Sequence, residues 1–166
     1  MQPSAFIFSF KKTKTYMLFK VSFRLACTLA MLLLASNSLL AQKDKVEGRW
    51  FNAERDAKVE IYKGTDNKFY GKIVWLQDPH RDGKPKTDIN NPKEALRNRP
   101  IIGLAILKGF VKDGEKTYGD GTIYDPKNGK TYSCKLTWQN SNTLSIRGYV
   151  GVSMLGKTTT WTRAAD

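Results

Sequence analysis

Gly48-Arg49-Trp50 stands in the first β-like segment of this chain and Trp161-Thr162-Arg163 in the last, so both ends of one region carry an indole and a guanidinium. An arginine lying on a tryptophan face gains about 0.5–2 kcal/mol of cation–π attraction. A closed barrel is the architecture that brings first and last strands side by side. The bracket therefore predicts a barrel in which Trp50 and Arg163 stack across the closure, with Trp161 in the closing strand.

Between these ends lie short segments rich in β-branched and aromatic residues, separated by Gly, Asn, Asp or Pro, with no long helical period. Candidate strands fall at 46–53, 58–62, 69–76, 102–111, 117–124, 131–139, 143–150 and 158–163. About eight strands in succession predict an all-β fold, a single antiparallel up-and-down barrel. Period-two alternation points Val59, Ile61, Phe69, Ile73, Trp75, Tyr132, Cys134, Leu136, Trp138, Leu144, Ile146 and Val150 inward. Turn chemistry is explicit at Asp125-Pro126-Lys127-Asn128-Gly129, where Pro presets φ and Gly accepts a positive one. Gly71, Gly109, Gly119, Gly121 and Gly148 inside strands fit bends or bulges of a strongly curved sheet.

The first 41 residues are built differently. Lys11, Lys12, Lys14, Lys20 and Arg24 occur there without any acid, and an apolar run follows at 25–34. This is the layout of a secretory signal peptide, cut after Ala41, with Met17 as an alternative start. The run is shorter than the ~20 residues a membrane span needs, so export to the periplasm or beyond the cell is expected, with no transmembrane segment in the mature chain. Cys27 lies at the start of the run, whereas a lipid-attachment cysteine would follow it.

The remainder, residues 42–166, suits one domain. Removing the five basic residues of the leader takes the formal charge from +13 to +8. Cations alternate with acids along most segments, which reads as a solvated surface. Export and the lack of a recognition motif exclude nucleic acid as a partner. Cys134 alone remains, so no intramolecular disulfide is expected and packing must hold the fold.

Residues 77–100 break the pattern. They are rich in proline, charge and amides, are too long for a hairpin turn, and have room for one helical turn at 93–99 after Pro92. Loops of this length in a compact domain are usually functional or disordered.

With these segments placed, the mature region resembles the secreted bacterial family catalogued as domain of unknown function 2147. The resemblance is carried by Gly48-x-Trp50, by Gly71-Lys72-Ile73-Val74-Trp75, and by Asp88-Ile89-Asn90-Asn91-Pro92 with Leu96-Arg97 and Arg99-Pro100. It continues through Gly121-Thr122-Ile123-Tyr124-Asp125-Pro126 with Gly129-Lys130-Thr131-Tyr132, through Arg147-Gly148-Tyr149, and through Thr160-Trp161-Thr162-Arg163. It implies a lipocalin-type barrel from a Gram-negative bacterium and no assigned activity. The chain is shorter than a typical lipocalin and lacks its disulfides, so a small or filled lumen is expected at least as readily as a wide one.

Few residues carry chemistry. His80 is the sole imidazole, and nothing beside it in Asp78-Pro79-His80-Arg81-Asp82 orients it for acid–base work. The same loop begins like a calcium loop, but His80 takes the third ligand position and Ile89 the twelfth, where a bidentate Glu is required. No metal and no cofactor is therefore expected. Cys134, among Tyr132, Leu136 and Trp138, reads as a buried small hydrophobe. Ser133 and Ser153 lack a nucleophile elbow. A hydrolase would rest on Asp88, Asp120 and Asp125 meeting at one barrel end, although capping of its own turn explains Asp125 better.

The candidate ligand-binding residues are the loop cluster Asp88, Asn90, Asn91, Arg97 and Arg99 and the outward pair Arg147 and Tyr149. Two roles stay open for the cluster: pinning the loop across the barrel, or meeting a ligand. The leading function is an envelope binding module for a small amphipathic or anionic ligand. The alternative is a structural or interaction protein of the envelope with a packed barrel, and a hydrolase comes third.

Overall fold

The computed structural model describes residues 43–165. The expected leader, with Cys27 and the cleavage site, lies outside the described residues. Among those described, ten strands form: β1 (Gly48–Phe51), β2 (Ala57–Lys63), β3 (Phe69–Leu76), β4 (His80–Arg81), β5 (Lys84–Pro85), β6 (Ala105–Lys112), β7 (Thr117–Asp125), β8 (Lys130–Asn140), β9 (Thr143–Tyr149) and β10 (Lys157–Arg163). Eight of them close into an antiparallel barrel in the order β1-β10-β9-β8-β7-β6-β3-β2, while β4 and β5 form a separate small hairpin. The closure joins β1 to β10, with Trp50 opposite Arg163.

The alternation sets the faces until a bulge shifts it. Lys58 pairs with Trp75 and Val59 with Ile73, which leaves Val74 as an extra residue on β3. Beyond that point the phase inverts, and Trp75, expected inside, faces outward. Its ring packs edge-on against Phe51 at 5.9 Å, and the Lys58 ammonium lies 5.5 Å from it. Val150, also expected inside, is exposed because β9 ends at Tyr149 and Val150 opens the following loop. Trp138 is only partly buried against the core, with Lys45 and Lys116 over its ring.

One half of the barrel is solid. Trp50, Ile61, Phe69, Leu107, Phe110, Tyr118, Leu136 and Leu144 are each at most 2% exposed and fill its interior. Gly121 makes this packing feasible, since a Cβ there would stand 2.4 Å from the Phe110 ring. The chain itself seals this end. Val46 is fully buried, and its carbonyl accepts from the Trp50 indole N–H at 2.8 Å. The Arg163 guanidinium lies 3.8 Å from the Trp50 ring centroid and donates to the carbonyls of Lys45, Glu47 and Ser141 at 2.7, 2.6 and 3.0 Å. Asp44 accepts from the Tyr118 hydroxyl and pairs with Lys112 at 2.7 Å. Cys134 is buried in the wall, and burial pushes its thiol up to about 12.

Candidate functional site

The opposite end is shaped by the long connection between β3 and β6. Asp82 and Gly83, with φ of 52° and 73°, turn β4 into β5 as only a mirror-image hairpin turn allows. The chain then doubles back, with Thr87 bridged to Pro100, and a single 3₁₀ turn forms at Glu94–Leu96 within the stretch expected to be helical.

Asp88 is the fixed point of this connection. It is fully buried and accepts four hydrogen bonds: Tyr124 Oη at 2.6 Å, Asn91 Nδ2 at 2.8 Å, and Arg99 Nε and Nη2 at 3.0 and 2.8 Å. Burial by itself would raise its pKa. The hydrogen bonds from Tyr124, Asn91 and Arg99 outweigh that and hold the carboxyl below the ordinary aspartate value. Arg97 Nε donates to the Asn91 carbonyl at 3.0 Å.

Asn90 clips the loop to the β7–β8 hairpin by donating to the Pro126 and Lys127 carbonyls at 3.3 and 3.0 Å. The approach is so close that a Cβ on Gly129 would lie 1.9 Å from the Asn90 carbonyl oxygen, and Gly129 itself has φ of +71°. Gly129→Ala is therefore expected to force the loop off the hairpin and cost about 1–3 kcal/mol. A chemical-denaturation midpoint equal to that of the wild type would contradict this contact. On the far side of the hairpin, Lys127 pairs with Asp56 of the β1–β2 loop at 2.9 Å.

These clips frame an open mouth. Behind it lies a cavity of about 1040 Å³ that runs from the upper lumen out between the loops. Its inner wall is apolar, built from Val59, Ile73, Ile106, Ile123, Ile146 and Trp161, with Tyr132 higher up. Its rim is charged. Asp56 and Lys127 neutralise each other there, as do Asp78 and Lys86 at 2.8 Å. The side chains of Arg81 and Lys157 also line the rim, and neither has an ion pair or hydrogen bond to another described residue. Of the two lumens the sequence left open, the filled one describes the sealed half and the wide one the mouth half. Large side chains fill only the sealed half, while Gly148 and Thr159 leave space in the other.

The family described as "Uncharacterized protein conserved in bacteria (DUF2147)" matches residues 48–163, which is the barrel from its first strand to its last. The chain belongs to this family. A solved structure, described as "Protein HP1028 from the human pathogen Helicobacter pylori belongs to the lipocalin family", is 35% identical, with a TM-score of 0.58 over 66% of this chain and 73% of that one. No curated protein matches the chain at a significant level. DUF2147 and a lipocalin-like barrel are what the sequence motifs implied.

Within this DUF2147 barrel, the seven residues proposed from sequence separate into three places. Asn90 lines the cavity. Asp88, Asn91, Arg97 and Arg99 form the strut beneath the loop, and the Asp88 carboxylate is fully buried with both oxygens engaged inside it, Oδ2 by Asn91 and Arg99 and Oδ1 by Tyr124. Arg147 and Tyr149 sit on the outer wall of β9, where Arg147 donates to Thr158 Oγ1 at 2.7 Å and to the Met154 carbonyl at 3.1 Å. Trp161 does not share the Trp50–Arg163 stack and instead faces the cavity.

The three carboxylates do not assemble into a pair. Asp88 is committed to the strut, Asp125 accepts the Lys127 N–H at 2.9 Å, and Asp120 stands exposed in mid-strand with φ of 57°. His80 is exposed on β4. Sequence reading missed Arg81 and Lys157. Lys157 was accessible to it, because stepping back by twos from the inward Trp161 gives Thr159 and then Lys157 on the same face.

Proposed function

We propose that this protein is an exported binding module that takes a small amphipathic ligand with an anionic head into the barrel lumen. The observation that carries this reading is the cavity of about 1040 Å³ with an apolar inner wall and the unpaired cations Arg81 and Lys157 at its rim. A cavity of this kind gains roughly 25 cal/mol for each Å² of apolar ligand surface it removes from water, and the few polar groups at its edge fix orientation. The family placement of the Helicobacter pylori relative supports a binding role. Export is supported by the basic and apolar leader ahead of the barrel.

Gly148→Leu tests the reading by filling the space. A Cβ at Gly148 would make ordinary contacts of 3.7 Å with Ile123 Cγ2 and 3.8 Å with Tyr132 Cβ, so the substitution points into the cavity without a backbone clash. With the anionic dye anilinonaphthalene sulfonate as probe, wild type is expected to bind with strong fluorescence enhancement. The variant should bind at least about tenfold more weakly at an unchanged or higher melting temperature, as a strand residue replaces glycine. Equal dye binding by both proteins would remove the lumen as the site. Native mass spectrometry of protein purified from its own envelope then identifies the retained ligand.

A further inference from the structure

The loop joining β9 to β10 carries the most exposed large apolar side chains among the described residues. Val150, Val152, Met154 and Leu155 are 72%, 62%, 87% and 82% exposed, and they follow one another within six residues at the mouth end of the barrel. Isolated apolar residues on a surface need no explanation, but a contiguous apolar tip does. The loop is held in this posture by polar bonds at its base. Arg147 donates to the Met154 carbonyl and to Thr158, the Leu155 N–H donates to the Val152 carbonyl at 3.2 Å, and a 3₁₀ turn forms at Ser153–Leu155. The backbone is thereby tied to the outer wall at Arg147, and the apolar side chains stay exposed.

The charge of the adjoining wall identifies what covers the tip. From residue 126 to residue 165 the chain contains six basic residues and neither Asp nor Glu. This stretch forms β8, β9 and β10, which are neighbours in the barrel. Lys127 and Lys135 pair with Asp56 and Asp113 of other loops and Arg163 lies at the sealed end, which leaves Lys130, Arg147 and Lys157 as the cations at the mouth end of this sector. An apolar tip flanked by cations suits an interface that is negatively charged at its surface and hydrocarbon just beneath. We propose that the β9–β10 loop docks the barrel, mouth end first, onto an anionic phospholipid bilayer. Exposure and charge direct this docking whatever the lumen holds.

Co-sedimentation with vesicles tests it. Wild type is expected to pellet with vesicles of phosphatidylcholine mixed with phosphatidylglycerol, to do so less as salt is raised, and to stay in solution with phosphatidylcholine alone. Combining Val152→Ser, Met154→Ser and Leu155→Ser, all at exposed positions, should weaken partitioning at least about tenfold. Dye binding in the lumen should be unchanged in the same variant, so a failure of docking and a failure of the lumen reading are separable. Wild type that stays in solution with both vesicle types would overturn the proposal, as would a triple variant that pellets like wild type. Equal pelleting with neutral vesicles would overturn the anionic assignment. A concentration-dependent dimer abolished by the triple variant, without vesicle binding, would give the loop to a second copy of the chain instead.

Discussion

Arg163→Ala is expected to lower the melting temperature by roughly 10 °C while leaving strand content intact, a shift that corresponds to about 2–4 kcal/mol for a domain of this size. Two losses add. The guanidinium stack on Trp50 at 3.8 Å contributes about 0.5–2 kcal/mol, and the carbonyls of Lys45, Glu47 and Ser141 lose their shared donor. Of these, the Glu47 bond is the most shielded from water and the most costly to leave unmade, at about 1–3 kcal/mol. Arg163→Lys should recover only part of the loss, because an ammonium keeps the charge without the planar fork that reaches three acceptors. Circular dichroism melts, with near-ultraviolet signals reporting the Trp50 environment, measure both variants. A melting temperature within a degree or so of wild type would mean the seal is held by the apolar contacts of Val46 and Trp50 alone.

Asp88→Ala is the second large effect, expected to cost about 2–4 kcal/mol because it removes the buried member of a half-buried ion pair and the acceptor of two buried donors. The side chains of Asn91 and Tyr124 would lose their bonds to Asp88 in a buried site, and Arg99 would lose the one oxygen, Oδ2, that accepts from both its Nε and its Nη2. Beyond the global loss, limited proteolysis should show cleavage inside 77–100 that wild type resists. Acid titrates the same contact. The folded-state pKa of Asp88 lies below its ordinary value of 3.8, so its stabilising contribution is complete above the unfolded pKa and lost as pH falls through the folded one. Asp88→Asn, which mimics the protonated carboxyl in shape, should therefore be less stable than wild type at neutral pH by a margin that shrinks below about pH 4. A margin that stays constant down to strong acid would show that Asp88 is not charged in the native state.

These two residues also mark how far the sequence could be read. The Trp50–Arg163 contact was legible because both partners sit in extended segments at the two ends of a barrel, where strand pairing alone fixes their neighbourhood. The strand faces were legible for the same reason, and they failed at Trp75, where the single extra residue Val74 inverts a period of two without leaving a compositional mark. The Asp88–Arg99 pair joins residues eleven apart, and they meet only because Thr87 and Pro100 bridge across the doubled-back loop. Composition suggested the cluster and could not decide between strut and ligand contact. The cavity was not legible at all. A void is the difference between the diameter of the wall and the volume of what points inward, and the same inward stripe that ends in Leu136 and Leu144 at one level ends in Gly148 and Thr159 at another.

The seal formed by residues 43–47 makes the interior a pouch with one door. Nothing can pass through such a barrel, so it cannot serve as a conduit however wide its mouth. A guest that enters tail first must leave head first, past the same Arg81 and Lys157 it met on arrival. Loading and unloading are then one path travelled in two directions, and any change at the rim that speeds capture by attraction should also slow departure.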